Sequence, residues 1–440
     1  MIVFTLTFMI PTAGLPELLS QYYLATKMNE RSNLKRSIIG DTPTRRSAEH
    51  IAEAIPLAQV WDASGPGIQE LNLRIARGSK YSRAVVSVPE EYDHLRAWPL
   101  VITLHGQGQS AASMMQMTRA MLGSAADEHI IVAPQDLGPL GFTEPDEIVN
   151  QPRQLLYSIR RKFHIDNDRV FLMGYSIGSH NTWMAATMHA DCFAGIMPLA
   201  TPMQLIGNDA LYDVLTPNLR NLDTLFVWGA QDNLGQDGRP HPMGGNAEFS
   251  RRQAKAMHDA CGKRFVGVEL PDAHHGNVRP PADEVKRLLS CKRERWPRQV
   301  HQSFRQPSQS RAAWVLAVKL MSKPLADAPS TVKLKPGEDQ AVAQKRHLVA
   351  QLGVIDATVD QQTISLSTKN TKDVVLLLSD ELIDLDKPIT ILRNKRQVFC
   401  GKIYRNHDVM LRESDETWDF TRVPHAQVVI PASGKKVTFD

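Results

Sequence analysis

Short apolar runs, each closed by a glycine-rich or polar loop, recur through residues 80–270 of the chain. Arg83-Ala84-Val85-Val86-Ser87-Val88, Leu100-Val101-Ile102-Thr103-Leu104 and Val170-Phe171-Leu172-Met173 read as strands. So do Phe193-Ala194-Gly195-Ile196-Met197-Pro198-Leu199-Ala200, Leu225-Phe226-Val227-Trp228-Gly229 and Phe265-Val266-Gly267-Val268-Glu269-Leu270. The stretch Ser179–Ala186 is helix-compatible, and residues 25–60 have helical composition with Ala48, Ile51, Ala52, Ala54 and Ile55 along one face, suited to covering a core. Beyond residue 310 the texture changes. Helical periodicity fades after Leu352, and the runs Thr363–Ser367, Asp373–Leu378, Pro388–Leu392, Gln397–Ile403 and Ala426–Ile430 follow, with Arg393-Asn394-Lys395-Arg396 as a hairpin turn. Several short strands separated by turn signals predict a small antiparallel sandwich.

The chemistry gathers at the ends of the first set of strands. Val170–Met173 runs into Gly174-Tyr175-Ser176-Ile177-Gly178, a G-x-S-x-G turn from strand to helix. Its glycines relieve the crowding that so tight a turn imposes, and the turn lifts the Ser176 hydroxyl to a helix N-terminus, where the Ile177 N–H can stabilise an oxyanion. The bland alternative is a glycine-bounded turn with a capping serine. Upstream, Leu100–Leu104 ends in His105-Gly106-Gln107-Gly108, a loop whose backbone N–H groups are open to a carbonyl oxygen; Gly106 and Gln107 are the candidates for a second oxyanion donor. An acid and a base are then expected downstream, in that order. Asp232, in Gly229-Ala230-Gln231-Asp232-Asn233, lies just after the strand Leu225–Gly229, placed to accept an imidazole Nδ1–H. The loop after Phe265–Leu270 carries His274-His275-Gly276, and either histidine can be the base, with His275 preferred for the glycine that follows it.

On these residues, together with Val88-Pro89-Glu90-Glu91-Tyr92-Asp93 and Asp168-Arg169-Val170-Phe171, the chain from about 75 to 290 resembles the α/β-hydrolases. It is most similar to the branch of prolyl-oligopeptidase-like domains, polyhydroxybutyrate-depolymerase-like esterases and phospholipase/carboxylesterase-type enzymes. The resemblance implies an α/β fold, a doubly wound mostly parallel sheet, followed here by the small antiparallel β-sandwich-like domain. It also implies a Ser176–Asp232–His275 triad, with His274 as the alternate base. The expected boundaries are a helical or irregular segment at 1–74, the catalytic domain at 75–292, a connecting segment at 293–325 and the β-rich domain at 326–440. Within the last, Leu382-Ile383-Asp384-Leu385-Asp386-Lys387-Pro388 resembles a β-module at the C-terminus of some planctomycete-type hydrolases, with packing against the hydrolase domain as its simplest role. One departure stands out: Ser179 occupies a position where such families often carry a further glycine, and its hydroxyl can reorient the site.

The expected reaction is hydrolysis of a small or polymeric carboxylic ester through an acyl-enzyme, without cofactor or metal. Two alternatives stay open: a peptidase acting on short peptides with the same triad, and a hydrolase fold retained for binding. The paired histidines lack a zinc-type cluster around them. A net charge of +4 over 440 residues gives no global case for nucleic acid. The basic segment Lys292-Arg293-Glu294-Arg295-Trp296-Pro297-Arg298 reads as a solvated linker rather than a phosphate patch. Cys192, Cys261, Cys291 and Cys400 form no C-x-x-C, and spacing alone does not pair Cys261 with Cys291. His241, in the glycine-rich stretch Gly235–Gly245, reads as a solvent-exposed loop residue. Met1–Ile10 is apolar and is followed by Pro11-Thr12-Ala13-Gly14, but it lacks a basic n-region and is too short to span a bilayer. Secreted or periplasmic and cytoplasmic locations are both left open, as is the oligomeric state.

Overall fold

The computed structural model describes residues 14–40, 46–75, 80–138, 140, 144–203, 212–233, 246–322, 332–432 and 436–439. The largest sheet consists of β1 (Gly67–Arg74), β2 (Tyr81–Val88), β3 (Trp98–Leu104), β4 (Ile130–Pro134), β5 (Ile165–Tyr175), β6 (Gly195–Leu199), β7 (Asp223–Gly229) and β8 (Phe265–Leu270). Their order is β1-β2-β4-β3-β5-β6-β7-β8. The pairs β1·β2 and β2·β4 are antiparallel, and all others in this sheet are parallel. This is the α/β-hydrolase fold, with strand order and direction as its signature.

The helices of the first part are α1 (Leu15–Leu24), α2 (Met28–Ile39), α3 (Ala48–Ala54), α4 (Ala111–Leu122), α5 (Asp146–Val149), α6 (Gln151–Lys162), α7 (Ile177–His189), α8 (Tyr212–Leu215), α9 (Asn246–Cys261) and α10 (Ala282–Leu289). Strand periodicity sorts the core between them, since successive side chains point to opposite faces. Leu100, Ile102, Leu172, Phe226 and Trp228 meet Leu155 and Ile159 of α6, Trp183 of α7 and Met257 of α9. Their neighbours Val101, Phe171, Met173, Leu225 and Val227 face the other way, onto Met114 and Met115 of α4 and Leu288 of α10. Because the inner strands are covered on both faces, they read as continuous apolar runs.

The remaining strands are β9 (Gln299–Phe304), β10 (Val315–Ala317), β11 (Gly353–Asp360), β12 (Thr363–Lys369), β13 (Val374–Leu378), β14 (Ile389–Arg393), β15 (Arg396–Gly401), β16 (Ala426–Ile430) and β17 (Thr438–Phe439). With α11 (Gln340–Gln351) and α12 (His407–Thr417), they make two sheets ordered β10-β13-β16-β17 and β15-β14-β12-β11-β9. The sheets share one core, which includes Phe304, Trp314, Ile355, Ile364, Leu376, Ile391 and Val428.

Several expectations are corrected. The 293–325 segment is no free connector, because β9 pairs with β11 and β10 with β13. The basic stretch within it is no solvated linker either: Arg293 is buried between Asp168 and Asp419, and Trp296 lies in the β-domain core. The segment 1–74 includes β1, an edge strand whose alternating exposure hides its pattern in sequence. The C-terminal sheets are antiparallel as expected, apart from one pair. The chain visits the other sheet through β13 between β12 and β14, so those two run parallel. Helices α1 and α3 pack with α12, Trp418 and Phe420, so the N-terminal segment covers part of the C-terminal region. All four cysteines are free, Cys261 and Cys291 included.

Candidate active site

A close approach of backbone to backbone forms the site's floor. Ser176 joins β5 to α7 with φ 58° and ψ −120°, a conformation that costs a non-glycine residue about 1–3 kcal/mol. A Cβ on Gly174 would lie 2.1 Å from the Gly178 carbonyl oxygen, and one on Gly178 would lie 2.1 Å from that of Leu104. Only hydrogen fits at either place. The turn therefore presses the start of α7 against the end of β3 and raises Ser176 above the strand ends. The N–H groups of Ser179 and His180 bond back to the Ser176 carbonyl at 2.9 and 3.1 Å, which leaves the N-terminal end of α7 facing the site.

Two loops complete the arrangement. Ser176 Oγ lies 2.8 Å from His275 Nε2, and His275 Nδ1 lies 2.9 Å from Asp232 Oδ2. A carboxylate can only accept, so Nδ1 carries the proton and Nε2 is free to accept the serine hydroxyl's. The hydrogen bond to Asp232 raises the His275 pKa above its ordinary 6.5, against burial, which lowers it. His274, the alternate base, points elsewhere. It is exposed, and its Nδ1 accepts the Gly276 N–H at 3.1 Å.

Three further side chains hold this geometry, and a reading of loops alone does not find them. The Tyr175 hydroxyl donates to the His275 carbonyl at 2.6 Å, tying the residue before Ser176 to the histidine loop. Asn246, the first residue of α9, places its Nδ2 3.3 Å from Asp232 Oδ2. Gln109 accepts the Gly106 N–H through Oε1 at 2.9 Å, so of the two donors expected in that loop Gly106 is already engaged. Gln107 lines a cavity of about 370 Å³ together with Ile177, Leu104, His105, Gly106, Pro134, Leu137 and Asn181. Ser179 does not disturb the site: it is fully buried and donates to the Thr201 carbonyl at 2.5 Å.

His241 and the stretch 234–245 lie outside the described residues, as do 204–211. Among the described residues no cluster of three metal-ligating side chains occurs, and no helix is long and apolar enough to cross a membrane.

No family model matches the chain. Over 113 residues it is 28% identical to poly(3-hydroxyalkanoate) depolymerase C of Paucimonas lemoignei, a match covering 23% of this chain and 27% of that protein. The chain thus spans about a quarter of that relative's length. Similar solved structures include a thermostable esterase, with 16% identity over 51% of this chain and 63% of that one at a TM-score of 0.40. A ferulic acid esterase from the anaerobic fungus Anaeromyces mucronatus is 17% identical over 52% of this chain and 91% of that one, at 0.38. A phospholipase/carboxylesterase from Dyadobacter fermentans is 20% identical over 49% of this chain and 97% of that one, at 0.32.

Proposed function

We propose that the protein is a serine hydrolase that cleaves carboxylic esters, with Ser176 as nucleophile, His275 as general base and acid, and Asp232 as the group that orients it. The observation that carries this reading is the relay of two hydrogen bonds, 2.8 Å from Ser176 to His275 and 2.9 Å from His275 to Asp232, set at the N-terminal end of α7. His275 Nε2 takes the hydroxyl proton as Ser176 Oγ attacks the ester carbonyl carbon. The carbonyl oxygen becomes an oxyanion at the N–H groups of Ile177 and Gln107. On collapse the C–O bond to the alcohol breaks, and His275 returns the proton to the leaving oxygen. Water, deprotonated by the same imidazole, then attacks the acyl-enzyme and releases the carboxylic acid and free Ser176. Every proton is accounted for by His275 and the solvent, so the reaction needs no cofactor. The similarity to a poly(3-hydroxyalkanoate) depolymerase, whose named substrate is an ester polymer, supports an ester over an amide.

The test is a fluorophosphonate probe with adduct mapping by mass spectrometry, run beside paired esters and amides of one acyl group. Labelling at Ser176 that is lost in Ser176→Ala and slowed in Asp232→Ala, with esters turned over faster than amides, is the expected result. Well-folded protein that takes no label overturns the reading.

A further inference from the structure

The histidine loop is anchored at both ends and held by its own polar groups in between. At its entry the Ala273 carbonyl accepts the Gln231 N–H at 3.0 Å, and a Cβ on Gly229 would lie 2.2 Å from that oxygen, so the loop starts against the end of β7. At its exit Val278 is fully buried in the core on the side of α4 and α10. Residues 274–277 between these anchors are exposed or half-buried. There Asn277 Oδ1 accepts the His274 N–H at 2.7 Å, and the Asn277 N–H returns to the His274 carbonyl at 3.2 Å.

One peptide plane in this turn bears directly on the site. The His275 carbonyl and the Gly276 N–H belong to a single rigid group. Its oxygen accepts the Tyr175 hydroxyl at 2.6 Å, and its N–H donates to His274 Nδ1 at 3.1 Å. The plane that fixes ψ of His275 is thus held on one side by the residue before Ser176 and on the other by His274. Only an unprotonated Nδ1 can accept, so the proton of the His274 ring sits on Nε2. The arrangement is the imidazole counterpart of an Asx turn, in which a side-chain atom bonded to Cγ accepts the N–H two residues on. The ring also lies against the Gly276 α-carbon, where a Cβ would stand 3.3 Å from His274 Cε1 and 3.6 Å from Nδ1. A side chain at 276 would crowd the ring off its bond.

We propose that His274 is a positioning residue for His275: through its unprotonated Nδ1 it holds the 275–276 peptide and, with it, the imidazole that serves Ser176. The proposal rests on the serine-hydrolase reading and adds to it a role for the second histidine of the pair. A proton added to Nδ1 turns the acceptor into a donor that faces another donor, and the bond is lost. Imidazole gains such a proton in the range of about pH 8 to 5, so the hold is released on the acid side. The other titratable groups on the segments brought together here are Asp232 after β7, Tyr175 of β5, and Asp272, His275 and Arg279 of the loop itself. His275 titrates on the same side, and the variants must therefore separate the two rings.

The experiment uses the full chain and follows two rates across pH: fluorophosphonate labelling of Ser176, and kcat/KM for p-nitrophenyl butyrate. His274→Ala should lose on the order of 3–10-fold on the plateau, which is one net hydrogen bond expressed as a rate ratio. His274→Asn, whose Oδ1 can accept the same N–H and does not titrate, should recover most of that loss. A merely structural role would not move the shape of the profile. In the unaltered protein the acid limb should fall below a one-proton curve by up to the same factor, whereas in both variants it should follow one proton, that of His275. Rates in His274→Ala equal to those of the unaltered protein overturn the proposal, as does a His274→Asn variant as slow as His274→Ala. An unaltered acid limb of the same shape as that of His274→Asn overturns the release by protonation. A loss in His274→Ala as deep as that in His275→Ala makes His274 the base and overturns both roles. If the unaltered protein takes no label and turns over no ester, the hydrolase reading falls and the proposal with it. His274 is exposed, so its replacement leaves the core intact, and matching near-UV circular dichroism checks this for each variant.

Discussion

Asp232 acts on His275 twice, holding its tautomer and raising its pKa, and the second effect has a measurable sign. Only neutral His275 can take the Ser176 proton, so a pKa raised above 6.5 puts the acid limb of the kcat/KM profile above pH 6.5. Asp232→Asn removes the charge and should move that limb to lower pH, while the plateau falls by on the order of 10⁴-fold. A limb that stays in place in the variant means that another group titrates. The neighbouring glycines make a steric prediction. Gly178→Ala puts a methyl group 2.1 Å from the Leu104 oxygen, so α7 must move away from β3. A stability loss of at least about 1–3 kcal/mol in urea titration is expected, with slower phosphonate labelling. Ser179→Ala is milder, since it only strands the Thr201 carbonyl, at a cost of about 1–3 kcal/mol. The residues that the structure brings together at the site were legible because each lies within a few residues of a strand's C-terminal end, and strand patterning locates the loop. The choice between His274 and His275 was not legible from pattern, because it depends on the backbone path of a short loop. Gln109, Asn246 and the Tyr175 hydroxyl were missed for a related reason: one polar side chain in a loop has no period.

At the level of elements, β9 shows how a strand disappears from sequence. Its residues Gln299-Val300-His301-Gln302-Ser303-Phe304 lack a continuous apolar face, with Gln302 standing between the core residues Val300 and Phe304, because part of its buried surface bonds to the hydrolase domain instead of packing on it. Gln302 Nε2 donates to the Thr187 carbonyl at 3.1 Å and to that of Gln309 at 2.7 Å. Asn218, just after α8, completes the joint. It donates to the Thr187 and Ser303 carbonyls, each at 2.9 Å, and accepts the Ser303 N–H at 2.8 Å. Polar residues that pair across an interface carry the composition of a linker, which is why 293–325 resembles one in sequence. Asn218→Ala strands the Ser303 N–H and carbonyl in the interior and leaves the Thr187 carbonyl to Gln302 alone. The expected destabilisation is about 2–4 kcal/mol, taking each stranded group at the low end of its cost. Urea denaturation reads it directly, and a change under about 0.5 kcal/mol, the scale of an ordinary surface substitution, would show that water replaces the side chain without loss.

Across the whole molecule, the hydrolase domain and the β-domain are joined by charges that neither could bury alone. Asp191 follows α7 and meets Arg153 at 2.5 Å and Arg422 at 2.8 Å, with Arg311 at 3.6 Å. Asp419, from the C-terminal region, meets Arg293 at 2.8 Å and Arg160 at 3.7 Å, while Arg293 also reaches Asp168 at 3.1 Å. Burial alone would raise the pKa of both Asp191 and Asp419, yet the arginines around them hold each well below the ordinary carboxylate range. A depressed carboxylate pKa stabilises the fold above its unfolded value, about 3.9, and that contribution is lost as pH falls toward the folded value. Stability should therefore hold to about pH 5 and drop steeply below about pH 4. Asp191→Asn leaves arginines buried without their partner, and should cost about 3–5 kcal/mol at pH 7 while flattening the acid dependence. Because Asp191 lies close behind the helix that starts at Ser176, loss of the β-domain should carry the Ser176 turn with it. Tryptophan fluorescence and phosphonate labelling of Ser176, followed through the same acid and urea titrations, are expected to change together. A labelling midpoint well separated from the fluorescence midpoint would mean that the two domains unfold independently and that the buried charges join them without coupling them.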